Sequence, residues 1–213
     1  MLAFGLQHFD RVLCLGAHAD DIEIGCGGTL LRLLAERPDV VVDWVVFSAA
    51  GPRRTEAQAS AELFLRDCRH PRITIHDFRD SYFPADWAAI KDRFADLAAQ
   101  TQPDVVFTHR RDDAHQDHRV LAELTWCAFR NHLVLEYEIP KYEGDLGQPN
   151  VLVPLSADTI RRKSELLLAA FPTQRAKSWF TAETFQALAR IRGIESAAAE
   201  GYAEGFYARK LVM

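Results

Sequence analysis

The stretch RVLCLGAHADDIEIGCGG, residues 11–28, decides the fold. Its first seven residues are an apolar run with no helical polar face, which predicts a strand buried on both sides. The run then gives way to His18, Asp20 and Asp21. Beyond the glycines, GGTLLRLLAERP carries Leu30, Leu31, Leu33 and Leu34 on one helical face and is stopped by Pro38. A phosphate-binding turn at this place wants glycines and bare backbone N–H groups, not paired carboxylates.

The pattern repeats along the chain. VVVDWVVFS, RITIHDF, DVVFTH and LVLEYEI read as strands, with helices over RTEAQASAELFLRDC, ADWAAIKDRFADLAAQ and residues 116–130 between them. Strands alternating with helices imply right-handed crossovers. The expected fold is therefore α/β, a Rossmann-like three-layer sandwich with a mostly parallel sheet of order 3-2-1-4-5. After Pro140 the pattern changes to a polar loop, the short strand VLVPL and helices over 157–170 and 181–199. We read one domain spanning 1–213, with a Rossmann-like core (1–139) and a C-terminal elaboration (140–213).

Composition narrows the function. A net charge of −5 and no block of Lys or Arg give no electrostatic footprint for nucleic acid or an anionic membrane. No apolar stretch is long enough to span a bilayer, and the N-terminal segment lacks a basic signal-peptide start. Cys14, Cys26, Cys68 and Cys127 are unevenly spaced without a C-x-x-C, so all four are expected as reduced core residues of a cytoplasmic protein.

Two clusters carry the chemistry. His18, Asp20 and Asp21 follow the first strand. FTHRRDDAHQDH follows the fourth and holds His109, Asp112, Asp113, His115, Asp117 and His118. In the order 3-2-1-4-5 those strands are neighbours at the switch point, so both loops should open into one cleft. Each residue singly also suits a helix cap or a solvated loop; two converging clusters suit a metal. Two imidazoles and one carboxylate, with a position left for water, is the catalytic zinc pattern, in which the bound water's pKa falls to about 7.

The motifs AHADDIEIGCGGTL and DAHQDH resemble the PIG-L/LmbE family of zinc-dependent N-deacetylases, whose motifs usually read A-H-P-D-D-E and H-P-D-H. RIRGIESAAAEGYAEGFYA resembles the family's closing segment. Ala19 and Gln116 stand where the family has prolines, and Ile22, followed by Glu23, replaces the usual glutamate. The resemblance implies His18, Asp21 and His118 as ligands of Zn2+ (or Fe2+) and Asp20 as general base. It implies His115 as the group that steadies the oxyanion and protonates the leaving amine. It further implies removal of an acetyl group from an N-acetylated amino sugar or sugar conjugate, a small molecule. A homo-oligomer is left open by the sequence.

Asp117, two residues from His115, is expected to hold that ring, as carboxylates behind catalytic histidines do. Arg53, in an R-x-x-E with Glu56, and Arg110, beside Arg111, are candidate substrate contacts, guanidinium groups suited to a hydroxyl or phosphate. His8, His70, His76, His109 and His132 are read as surface or packing residues, and Arg192 receives no role. Two other readings stand beside the deacetylase. A Rossmann-type nucleotide enzyme (oxidoreductase or methyltransferase) is weakened because Gly25, Gly27 and Gly28 do not fit G-x-G-x-x-G. A non-catalytic sugar-binding homologue has no need of Asp20 and His115.

Overall fold

The computed structural model describes residue 5 and residues 8–211. β1 (Arg11–His18), β2 (Val41–Ser48), β3 (His70–Ile75), β4 (Val105–His109) and β5 (Leu133–Tyr137) form a parallel array. It is crossed over by α1 (Asp21–Glu36), α2 (Pro52–Phe64), α3 (Trp87–Gln100) and α4 (Gln116–Ala128). The full sheet has seven strands in the order β3-β2-β1-β4-β5-β7-β6. Its first five places match the expected order. β6 (Val151–Leu155) and β7 (Tyr202–Ala208) extend the same sheet antiparallel, joined by α5 (Ala157–Ala170), a 3-10 turn (Pro172–Gln174) and α6 (Ala182–Glu195).

Both faces of the sheet are dry. One apolar cluster includes Cys14, Val42, Trp44, Phe64, Phe107 and Phe206. The other, beneath α3 and α4, includes Leu13, Val45, Phe47, Phe94, Val106 and Leu124. β1 and β4 are buried along nearly their whole length, which is why they read as unbroken apolar runs.

Three expectations need correction. The first helix begins at Asp21, not after the glycines, because Ile22, Ile24 and Cys26 already supply its buried face. Gly25, Gly27 and Gly28 lie inside that helix, where a Cβ would come within 2.3 Å of Tyr137, 2.6 Å of Phe64 and 2.6 Å of Leu155. They serve close packing, not a phosphate. β7 was not expected; Gly205 and Glu204 interrupt its apolar pattern. Glu204 has its own task, accepting the N–H groups of Gly28 and Thr29 at 2.8 and 2.6 Å, while its partner Lys163 donates to Ile24 O at 2.6 Å. This pair latches the C-terminal segment onto α1. Finally, Cys14, Cys26 and Cys68 are buried thiols as expected, but Cys127 is exposed, on the outer side of the last turn of α4.

Candidate metal centre and active-site cleft

The carboxyl ends of β1 and β4 place both clusters at the floor of one cleft of about 650 Å³, with His18, Asp20, Asp21, His115 and His118 among its walls. A cleft of this size takes a small-molecule substrate. His18 Nδ1 lies 3.2 Å from His118 Nε2 and 3.3 Å from Asp21 Oδ2; His118 Nε2 and Asp21 Oδ2 are 3.6 Å apart.

The groups behind each ring fix what these atoms are. His118 Nδ1 faces Asp113 Oδ2 at 3.0 Å, so its hydrogen sits on Nδ1 and Nε2 is a bare lone pair. His18 Nε2 faces Asp117 Oδ2 at 3.2 Å and Asp80 Oδ1 at 3.3 Å, so its hydrogen is held there and Nδ1 is the nitrogen turned toward the other two atoms. His118 Nε2 and Asp21 Oδ2 are electron-pair donors, and His18 Nδ1 becomes the third when a cation takes the place of its hydrogen. A tetrahedral ion with bonds of about 2.1 Å has ligand–ligand edges of about 3.4 Å. The three residues fit a single divalent cation in chemistry and in dimension.

Electrostatics agree. Burial and the neighbouring His109 lower the His118 pKa to about 3, so the ring is neutral and able to ligate. Burial also disfavours charge on His18, yet Asp21, Asp117 and Asp80 outweigh it and raise that pKa well above the ordinary histidine value. The carboxylates ask for positive charge at this point, and a cation between the rings answers them without a proton. Burial works against ionised Asp21, but His118, His109 and His18 hold its carboxyl well below the usual range.

Asp20 occupies the cap position of α1, yet its side chain makes no cap bond. Its Oδ1 instead takes the Arg53 guanidinium at 2.7 Å. Burial raises the Asp20 pKa, and the Arg53 charge opposes that rise. Arg53 is thus committed to Asp20 and, at 2.8 Å, to Glu56, which also accepts the N–H and hydroxyl of Thr173. It lines the cleft, but as a clamp on Asp20 rather than as a free guanidinium.

His115 caps α4: its Nδ1 accepts the Asp117 N–H at 3.2 Å, which leaves the Nε2–H free. Burial and the adjacent His18 lower its pKa, so the ring is neutral. The Asp117 carboxylate does not hold His115. It accepts the N–H groups of Ser81 and Phe83 at 2.6 and 3.1 Å and faces His18, joining the 81–83 loop to the first motif.

Other placements were less legible. Asp113 stands behind His118, the task the sequence reading gave to Asp117 for His115. His109 is fully buried, stacks on His118, and accepts the Ala17 N–H at 3.0 Å on Nε2, 3.1 Å from Asp21. Arg110 is not in the cleft wall: its guanidinium lies over the Tyr207 ring and donates to Asp145 O at 2.8 Å. Arg111 likewise does not line the cleft; its backbone N–H donates to Glu136. Glu23 is wholly buried, its carboxyl pushed up to about 8 by desolvation, and takes no place in the cleft wall.

Histidines and aspartates gathered beyond adjacent strand ends of an α/β sheet form a candidate metal-binding active site. Residues 13–129 match the PIG-L model, described as GlcNAc-PI de-N-acetylase, and the chain belongs to that family. Among solved structures it is similar to the N,N'-diacetylchitobiose deacetylase of Pyrococcus horikoshii, crystallised with its inhibitor. That match has TM-score 0.74 and 22% identity over 95% of this chain and 84% of the other. A zinc-inhibited teicoplanin deacetylase matches at TM-score 0.67 and 16% identity, over 93% and 97%. The 4-carboxy-2-hydroxymuconate hydratase of Pseudomonas putida matches at TM-score 0.76 and 20% identity, over 96% and 98%. At such identities the likeness is one of fold, and a fold alone does not choose between hydrolysis and hydration. Among the described residues no helix is long and apolar enough to cross a membrane.

Proposed function

We propose that this protein is a metal-dependent hydrolase that removes an acetyl group from the nitrogen of an amino sugar or sugar conjugate. The observation that carries the reading is the convergence of His18 Nδ1, His118 Nε2 and Asp21 Oδ2 at 3.2–3.6 Å beside Asp20 and His115. Family membership supports the choice of amide over other substrates.

His18, Asp21 and His118 would hold Zn2+ or Fe2+, which supplies Lewis acidity to a water and to the amide carbonyl. The chain's own groups do the rest. Asp20, whose burial makes it a stronger proton acceptor than a solvated aspartate, takes the proton of the attacking water. Arg53 holds that carboxylate at one oxygen and leaves the other to the cleft. The His115 Nε2–H hydrogen-bonds the developing oxyanion, and Asp20 passes the proton it took from the water to the leaving amine. Acetate and a free amine are the products.

The test is release of primary amine and acetate from a panel of N-acetyl sugars by metal-stripped and zinc-reconstituted protein. Activity should vanish on stripping and return with zinc, and D20A should bind zinc yet fail to turn over. Full turnover by metal-free protein would refute the proposal.

A further inference from the structure

The loop between β5 and β6 is tied to the histidine loop by buried charge. Lys141, whose side chain is 9% exposed, places Nζ 3.0 Å from Asp113 Oδ2 and 2.6 and 2.7 Å from the two Asp145 carboxylate oxygens. The same Asp113 Oδ2 faces His118 Nδ1, and its Oδ1 accepts the His115 N–H at 2.8 Å. Asp145 accepts the Ala114 N–H at 2.6 Å, and its backbone oxygen takes Arg110. The loop is anchored at its far end by Arg192, paired with Glu138 at 2.7 Å and donating to Gly147 O at 2.9 Å.

We infer that Lys141 and Asp145 are positioning residues, a clamp from the C-terminal segment that sets the divalent-metal affinity of His118. The inference rests on the reading of His118 as a ligand. Asp113, 4% exposed, sits between His118 and Lys141. With Lys141 neutralised, Asp113 and Asp145 lose the cation that lies between them, and two close, poorly solvated carboxylates repel. Asp113, no longer held by Lys141, then turns away and releases the hydrogen it holds on His118 Nδ1. That hydrogen can move to Nε2, the atom that faces His18 and Asp21, and the ring is then a weaker ligand. Removing the Asp145 charge weakens its hold on Lys141 and on the Ala114 N–H and loosens the same loop from the other side.

Full-length wild type, K141M, K141R, D145N and H118A are stripped of metal and titrated with zinc against a chromophoric chelator. Apoprotein melting is followed in parallel to confirm folding. K141M and D145N should bind zinc about tenfold more weakly, the scale seen when a group supporting a metal ligand is removed. K141R should recover most of the affinity. Nitrogen-15 histidine spectra of the apoproteins should place the His118 hydrogen on Nδ1 in wild type and partly on Nε2 in K141M. If K141M fails to fold, D145N and K141R decide. Unchanged zinc affinity in the folded variants, with one zinc bound by wild type and lost in H118A, overturns the clamp alone. A wild type that binds zinc no better than H118A overturns the metal assignment with it.

Discussion

Arg53 Nη2 lies 2.7 Å from Asp20 Oδ1, and this contact sets the behaviour of the proposed base. Burial pushes the Asp20 pKa up and Arg53 is the largest influence holding it down. Removing the guanidinium therefore raises the Asp20 pKa further. In R53M the acid limb of the kcat/KM profile should move to higher pH, since protonated Asp20 cannot accept a proton. Zinc content should not change, because Arg53 touches none of the three ligands. A profile that keeps its acid limb while KM rises would instead mark Arg53 as a substrate contact.

His115 is the clearest case of a side chain whose direction is fixed by its own backbone. With Nδ1 accepting the Asp117 N–H, the Nε2–H is the hydrogen available to a substrate. H115A should lower kcat by about 10²–10³, the effect of losing one oxyanion donor. Bound zinc, measured by elemental analysis, should remain at the wild-type level. Loss of zinc together with activity would make His115 a ligand.

Asp117 should behave as a structural group. Its carboxylate is fully buried and accepts two backbone N–H groups while facing His18. In D117N the amide nitrogen must face one of these donors, leaving buried hydrogen-bonding groups unmatched at about 1–3 kcal/mol. For a chain of this size that lowers the melting temperature by about 2–4 °C per kcal/mol. Thermal melts of the apoprotein check this. A role confined to His115 would reduce turnover and leave the melt untouched.

The five-strand order and the meeting of the two motifs were legible because both follow from apolar runs and the rule for sheet switch points. What was not legible is informative. Asp113, Asp117 and Asp20 are one residue type in nearly one setting, and only side-chain direction separates ligand support, loop anchor and base. Arg53 and Arg110 look alike in sequence, yet one clamps Asp20 and the other is drawn off by Tyr207 and Asp145. β7 escaped notice because Glu204 sits in it to meet Lys163 and α1, a partner far away along the chain.

The glycines of α1 illustrate the same point and make a prediction. A Cβ at Gly25 would lie 2.3 Å from Tyr137 Cδ2, a fully buried ring whose hydroxyl donates to Leu15 O at 2.6 Å. The ring is pinned at both ends, so G25A should destabilise the fold by about 1–3 kcal/mol, as overpacking does. This outweighs any gain in helix propensity from Ala, which is about 1 kcal/mol. Urea unfolding would measure it; a stabilised G25A would mean the Tyr137 ring can move aside freely.

Zinc should stabilise the folded chain, because the three donors are brought together only by folding: His18 and His118 are 100 positions apart. A ligand that binds only the native state at about 100 times its dissociation constant adds about 2.7 kcal/mol. For a chain of this length that is about 5–10 °C in melting temperature. Differential scanning calorimetry of stripped protein with and without zinc should find that rise in wild type and in D20A, and should find none in H18A or H118A. An equal rise in H118A would place the ion on other residues, since the Nε2 of His118 faces both His18 and Asp21 and no two-residue remnant of that set keeps comparable affinity.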